Sequence, residues 1–225
     1  MVKAGEVAGW RRMLESAIAE QLKQNGFCVA KSGIAVYLRP GPKQGSAKTT
    51  QNIGCSASVE RGGYLVATLH LGVRYDAVED IIDKWPNNPL EPSTFRATLH
   101  TAHAYEIPGG RFKFWYVNKP EEVPGIAEEI VKAVRTSGFD FFSRFSSLED
   151  LINNLRSDHC LADGQTPATA LPVAAALLGQ KDKVELYCRE QWVKIRNLPK
   201  FALARIYPSF VQYLSETFRI PISLE

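Results

Sequence analysis

The most regular pattern of apolar and polar residues lies in residues 49–75, where two stretches alternate with a period of two. In the first stretch the apolar positions are Ile53, Cys55, Ala57 and Val59. The second stretch repeats this alternation over residues 64–73, after the link Arg61-Gly62-Gly63. A period of two is typical of a strand with one buried face, and a Gly-Gly link between two such runs indicates a hairpin. We predict that this hairpin forms the centre of an antiparallel sheet that helices cover.

Before the hairpin, the pattern predicts one helix and two short strands. Apolar residues recur every fourth position in residues 6–24, and Asn25-Gly26 supplies a stop signal. The apolar positions are Trp10, Leu14, Ile18 and Leu22. Residues 27–31 and 34–39 then alternate around Ser32-Gly33, which predicts the first hairpin of the sheet.

After the central hairpin we predict a short helix that begins at Asp76 and ends before Pro86. Residues 95–107 and 112–118 are predicted as two further strands, with a turn at Pro108-Gly109-Gly110. The second of these strands has apolar residues on both faces: Phe112, Phe114 and Tyr116 on one, Trp115 and Val117 on the other. We therefore expect this strand to be covered twice, by helices or by a partner.

From Pro120 onward the chain is predicted to be helical. A stripe with helical spacing runs to Gly138, which we expect to end the first helix. Ser147 is placed as the N-cap of the next helix, and Ala-rich and mixed helices follow, with a bend expected at Pro208. The fold class is therefore predicted as α+β, an antiparallel sheet packed with helices, followed by a C-terminal all-helical segment. The domains are predicted as residues 1–146 and 147–225.

The composition of the chain argues against two classes of partner, nucleic acids and membranes. The chain has 225 residues, 45% of them hydrophobic, which is enough for a substantial core. A net charge of +3 is too small to indicate nucleic acid, and no run approaches the roughly 18 apolar residues of a membrane span. The four cysteines are widely spaced, so we expect reduced packing residues and a cytoplasmic location: Cys28, Cys55, Cys160 and Cys188.

Residues with catalytic potential are few. His100 and His103 are the best metal candidates, but on a strand the residues i and i+3 point to opposite faces. His159-Cys160 could add ligands, although adjacent residues rarely bind one ion. Neither a nucleophile elbow nor a phosphate-binding glycine motif is present. We expect no cofactor.

Basic residues outnumber acidic residues by seven to three in the last helical pair. The basic residues are Lys181, Lys183, Arg189, Lys194, Arg196, Lys200 and Arg205. If they share a face, they form a positive patch suited to an acidic protein or to a phosphate backbone. The alternative is an ordinary solvated helix face.

Several local signals, taken in order, resemble the bacterial family called domain of unknown function 4304. They are the helix closing on Gly26-Phe27, the strand around Tyr37 and Arg39, Gln51 entering the next strand, the run Leu69-His70-Leu71-Gly72-Val73, the aromatic strand with Trp115, and the helical stretch 141–155. The resemblance covers about residues 10–155. It implies a small bacterial α+β domain without catalytic residues, of a kind found among toxin-immunity and interaction proteins.

These observations predict a non-catalytic bacterial module that binds another protein, with an immunity-type neutraliser of a toxin as its specific form. The predicted binding residues are Trp115, Lys113, Lys183, Arg189, Lys194 and Arg196. Two alternatives remain open: a metal-dependent or small-ligand enzyme that uses His100 and His103, and nucleic-acid binding by the basic C-terminal helices. Oligomeric state is left open.

Overall fold

The computed structural model describes residues 4–31, 35–41, 48–89, 96–100, 113–157, 165–197 and 202–224. It confirms the α+β fold, with an antiparallel sheet and C-terminal helices. The chain divides into two compact units. Unit 1 comprises residues 1–41, 50–73 and 100–143, and unit 2 comprises residues 42–49, 74–99 and 144–225. Unlike the predicted domains 1–146 and 147–225, these units place residues 42–49 and 74–99 with the C-terminal helices.

The sheet has six strands among the described residues. They are β1 Cys28–Lys31, β2 Ala35–Pro40, β3 Thr49–Val59, β4 Leu65–Tyr75, β5 Leu99–His100 and β6 Trp115–Val117. The strand order is β1-β2-β3-β4-β5, and β6 also pairs with β4, placing Leu65 opposite Val117. The sequence did not identify this pairing of β6. The stretch 101–112, which holds residues 101–107 of the strand predicted at 95–107 and the turn after it, lies outside the described residues.

The central hairpin of β3 and β4 is confirmed. The Glu60 amide donates to the Tyr64 carbonyl at 2.9 Å, and the Gly63 amide donates to the Glu60 carbonyl at 2.9 Å. Gly63 has φ +79°, the left-handed conformation that a three-residue hairpin loop requires at its last position. The Arg61-Gly62-Gly63 link therefore fixes the turn.

Unit 1 packs helix α1 (Ala4–Lys23) against the sheet and against helix α3 (Val123–Ala133). The predicted stripe of α1 is buried: Trp10, Leu14, Ile18 and Leu22 are at most 8% exposed. Tyr37 of β2 donates its hydroxyl to the Glu15 carbonyl at 3.0 Å and so ties the strand to the helix. The helix ends as predicted, since Gly26 has φ +81° and the Phe27 amide donates back to the Leu22 carbonyl at 3.2 Å.

The prediction that Gly138 ends a helix is wrong. A 3₁₀ turn at Pro120–Glu122 leads into α3, and a π-helical turn at Val134–Gly138 continues directly into α4 (Phe139–Arg144). A Cβ added at Gly138 would lie 3.5 Å from Leu71 Cδ2 of β4. This is an ordinary van der Waals distance and the φ of Gly138 is not positive, so neither crowding nor a left-handed backbone requires glycine at this position.

Unit 2 is built around one helix. Its helices are α2 Asp76–Asp83, α5 Leu148–Ser157, α6 Gln165–Leu177, α7 Lys181–Ile195 and α8 Ala202–Phe218. Helix α6 contacts each of the other four helices, and residues 167–176 are buried without interruption. An Ala-rich helix that is apolar on all sides is expected to occupy such a central position.

Three contacts hold these helices together. The Tyr207 hydroxyl donates to the Ala168 carbonyl at 3.1 Å, the Tyr213 hydroxyl donates to the Ile81 carbonyl at 3.0 Å, and the Trp85 and Phe210 rings lie 5.2 Å apart. The last two contacts attach α2 to α8. Helix α8 continues through Pro208.

The predicted cap of α5 is confirmed. The Asp150 amide donates to Ser147 Oγ at 3.0 Å, and the Ser147 amide donates to Asp150 Oδ2 at 3.1 Å. This reciprocal pair satisfies amides that the start of the helix would otherwise leave unpaired.

Candidate binding groove

A surface groove of about 590 Å³ opens between α5, α6 and α7 of unit 2. Its aliphatic wall consists of Leu155, Pro167, Leu171 and Val193. Its polar side chains are Arg156, Arg189, Glu190, Gln191 and Lys194. The groove exists because central α6 supplies one wall while the end of α5 and the second half of α7 supply the others.

The floor of the groove is buried and includes one polar side chain. Leu155, Leu171 and Gln191 are 1%, 2% and 3% exposed.

The rim of the groove carries more positive than negative charge. Arg156 lies 3.2 Å from Glu190 and places its guanidinium 4.8 Å from the centre of the Tyr187 ring. Arg189 lies 2.8 Å from Glu185 of the same helix. Lys194 is exposed and has no carboxylate partner among the described residues. Arg156 and Arg189 are thus paired with carboxylates, and Lys194 supplies the excess positive charge that favours an anionic ligand.

Two of the four predicted basic residues, Arg189 and Lys194, line the groove; Lys183 and Arg196 are exposed but do not line it. The four side chains do not share one face. Lys183 and Lys194 are eleven positions apart and so fall on one stripe of α7, whereas Arg189 and Arg196 fall on another. The four predicted basic residues are therefore divided, two at the groove and two on the exposed surface outside it.

Sequence reasoning missed Gln191, although a signal was present. The buried residues of α7 are Val184, Tyr187, Cys188, Gln191 and Ile195. This spacing is that of one helix face, so a glutamine on the apolar stripe could have been recognised as buried. Arg156 was missed because it precedes the residues where the basic excess begins.

The predicted pair Trp115 and Lys113 lies in unit 1. Trp115 is 2% exposed, and the Lys113 ammonium lies 5.2 Å from the centre of its ring and 2.8 Å from Glu129 Oε2. Within the chain only one face of β6 is covered, because Tyr116 is 51% exposed while Trp115 and Val117 are buried, and cover of the other face by a partner stays a prediction. Phe114, just before β6, is 41% exposed. The surface that this strand offers is therefore aromatic.

A hydroxyl and imidazole cluster, which the sequence did not predict, lies on β3 and β4. Ser56 Oγ is 2.7 Å from Thr68 Oγ1, and His70 Nε2 is 3.3 Å from both hydroxyl oxygens. Ser56 and Thr68 belong to neighbouring strands, where paired hydroxyls stabilise a sheet. Cross-strand hydrogen bonding therefore explains why these three side chains lie together.

The cysteines occupy two kinds of position. Cys55 and Cys188 are buried, as predicted. Burial raises the pKa of each thiol to about 12. Cys28 was expected in a strand interior but is exposed on β1, and Cys160 lies outside the described residues.

The structure describes only one of the four residues that the sequence nominated as metal ligands. His100 belongs to strand β5, whereas His103, His159 and Cys160 lie outside the described residues. Within the described ranges, no group of three His, Cys, Asp or Glu side chains could hold a metal ion.

No helix in the described part of the chain is both long enough and apolar enough to cross a membrane. Comparison with protein-family models, with curated proteins and with solved structures found no match to this chain.

Proposed function

We propose that this chain is a non-catalytic protein-binding module and that its partner places an acidic segment in the groove between α5, α6 and α7. The observation that carries this proposal is the combination of an aliphatic wall with a rim where Glu190 and Glu185 pair with Arg156 and Arg189, and where exposed Lys194 adds a net positive charge. An aliphatic centre with a charged rim is the usual anatomy of a protein-protein contact. The rim charges select an acidic partner and accelerate its association.

The side chains at the groove and the positions of the cations on α7 support a protein partner over a nucleic acid. Single-stranded nucleic acids are held by aromatic platforms, and no aromatic side chain is among the described residues that line the groove. Duplexes need a row of cations along the phosphate backbone, whereas the cations of α7 fall on two separate stripes. The immunity-type role, the bacterial origin and the cytoplasmic location stay predictions that rest on the sequence.

The test selects peptides from a displayed library of random twelve-residue sequences, with the purified protein as bait. We expect enrichment of sequences that combine Asp or Glu with aliphatic residues. Lys194→Glu should weaken binding of the selected peptides about tenfold, or about 1.4 kcal/mol, because it replaces attraction by repulsion at the rim. The affinities are measured by fluorescence anisotropy.

Lys183→Glu is the matched control. It makes the same charge change on the same stripe of α7, about 16 Å further along the helix and outside the groove. We expect it to change affinity less than about twofold, because salt screens most of the interaction between this distant charge and the bound peptide. Equal losses in both variants, or selected peptides without acidic residues, would contradict the proposal. Tight binding of random-sequence RNA or duplex DNA with a steep salt dependence would favour the nucleic-acid alternative.

A further inference from the structure

Two guanidinium groups of unit 1 lie beside the same residue, Asn25. Arg39 Nη1 donates to the Asn25 carbonyl at 2.9 Å, and Arg135 Nε donates to Asn25 Oδ1 at 3.3 Å. Asn25 follows α1, Arg39 belongs to β2, and Arg135 belongs to the π-helical turn Val134–Gly138. Three elements of the fold therefore bring two cations to the C-terminal end of α1.

Arg39 is fixed in place by contacts that carry no negative charge. Its guanidinium lies against the rings of Phe27 and Phe139. Both Nε and Nη2 of Arg39 donate to Oε1 of Gln51, a side chain that is 5% exposed. A guanidinium has five N–H groups, and the bonds to Gln51 and Asn25 use three of them. One N–H on each terminal nitrogen is left to donate to a ligand.

The two arginines have no carboxylate as counter-charge in the part of the chain that the structure describes. Neither Arg39 nor Arg135 forms an ion pair there, and burial lowers the pKa of Arg39 with no carboxylate to offset it. Arg74 and Arg96 differ, because each of them pairs with carboxylates where it is removed from water. Cations that lose part of their hydration are normally paired, so we expect the counter-charge of Arg39 to come from a bound anion.

We propose that Arg39 and Arg135 bind a phosphomonoester group. The C-terminal end of α1 supplies about half a negative charge, so the two guanidinium groups leave a surplus of about one and a half positive charges. A phosphomonoester carries about −1.5 to −2 at pH 7 and matches this surplus, whereas a carboxylate or a nucleic-acid phosphodiester carries a single negative charge. The guanidinium fork also fits phosphate oxygens. The site is independent of the function proposed above, because its residues belong to unit 1 and those of the groove to unit 2.

The experiment titrates the purified full chain with glycerol phosphate, a simple phosphomonoester, at constant ionic strength and at about pH 7.5, where this group is mostly dianionic. The Nε–H signals of Arg39 and Arg135 in proton–nitrogen NMR correlation spectra report binding at the two side chains. We expect both signals to shift until the protein is saturated. Dimethyl phosphate, a diester with a single negative charge, should bind at least about tenfold more weakly.

Two variants test the two arginines separately. Arg135→Gln removes an exposed charge and should weaken the binding of glycerol phosphate about tenfold. Arg12→Gln, the same change at an exposed position of α1, is the matched control and should alter affinity less than about twofold. Gln51→Glu places a carboxylate against Arg39. It should raise the melting temperature and abolish binding, because Arg39 then has its counter-charge within the chain.

The proposed site is overturned if neither arginine signal shifts to saturation, or if the diester binds as tightly as the monoester. Equal losses in Arg135→Gln and Arg12→Gln would show that only the net charge of the protein matters, and would overturn it too. Binding that is unchanged in Gln51→Glu would exclude Arg39 from the site. Lys194→Glu alters the groove and should leave the affinity for glycerol phosphate unchanged, so each site is tested without the other.

Discussion

Arg96 donates a hydrogen bond from Nε to Oε2 of Glu79 at 2.8 Å, and the Glu79 side chain is only 3% exposed. Arg74, at the end of β4, places its Nη1 3.8 Å from the same oxygen, and Arg96 also pairs with Asp83. Burial by itself would lower the pKa of Arg96, but the bonds to Glu79 and Asp83 outweigh it and raise that pKa. One buried carboxylate thus holds two guanidinium groups beside helix α2.

We expect Glu79→Gln to destabilise the protein by about 1–3 kcal/mol, because it removes the buried charge that both arginines share while Asp83 still pairs with Arg96 and Asp76 with Arg74. The free energy of unfolding is measured by urea denaturation followed by circular dichroism. Glu128→Gln, the same change at an exposed position of α3, is the control and should cost less than about 0.5 kcal/mol. A loss below about 1 kcal/mol in Glu79→Gln would show that the network is solvated.

Arg39 makes a second set of contacts that depends on the shape of the guanidinium. The central carbon of its guanidinium lies 4.6 Å from the centre of the Phe27 ring and 4.8 Å from the centre of the Phe139 ring. Nη1 donates to the Asn25 carbonyl at 2.9 Å, and Nε donates to Gln51 Oε1 at 2.8 Å. Lysine keeps the charge, but its compact ammonium cannot stack on rings as a planar guanidinium does and cannot reproduce its forked hydrogen bonds.

We therefore expect Arg39→Lys to lower the free energy of unfolding by about 2 kcal/mol, through lost stacking and lost hydrogen bonds. Arg12→Lys, at an exposed position of α1, should be neutral. The two variants are compared by thermal unfolding. Equal melting temperatures would mean that charge alone accounts for Arg39.

The two neighbours Trp115 and Tyr116 should respond in opposite ways to truncation. Trp115→Ala removes a buried ring from the core and is expected to cost about 3–5 kcal/mol. Tyr116→Ala truncates a ring that is 51% exposed and should cost less than about 1 kcal/mol. Urea denaturation of both variants checks this. A mild effect of Trp115→Ala would restore that ring as a candidate for partner contact.

Stability should fall at alkaline pH because of the buried thiols. The pKa of Cys55 and of Cys188 rises from 9.0 to about 12 on folding, with burial as the main cause. Below pH 9 both states keep the proton and stability is unaffected. Between pH 9 and pH 12 only the unfolded state loses it, so the free energy of unfolding decreases with rising pH.

At pH 10.5 each thiol should account for about 2 kcal/mol of this loss relative to pH 8. Urea denaturation under reducing conditions at the two pH values measures it. The double variant Cys55→Ala, Cys188→Ala should lose less stability between them; the remaining loss comes from buried tyrosines such as Tyr207, whose pKa burial also raises. An identical pH dependence in the variant would rule out the thiols as its source.

Prediction succeeded where a feature depends on neighbours in the sequence. The stripe of α1 that contains Leu14 and Ile18 and the turn at Gly63 follow from spacing over a few residues. Glu79 is a feature that its sequence neighbours do not predict. An acidic residue in the first turn of a helix is expected to be an exposed charge that interacts favourably with the helix dipole, whereas Glu79 is buried. Its partners Arg74 and Arg96 lie 5 and 17 residues away, and only folding brings them to it.

The candidate site shows the same difference between features set by sequence neighbours and contacts made only on folding. Local periodicity determined the helices, the central hairpin and the α+β class, because hydrogen bonding within a turn or a strand pair repeats at fixed short spacings. The sequence also revealed the basic excess that includes Arg189 and Lys194. Tertiary structure alone decided that these cations meet Arg156, the aliphatic side chains of α6 and the buried amide of Gln191 in one groove. Contacts among three helices depend on how their faces pack, and no short-range pattern encodes that arrangement.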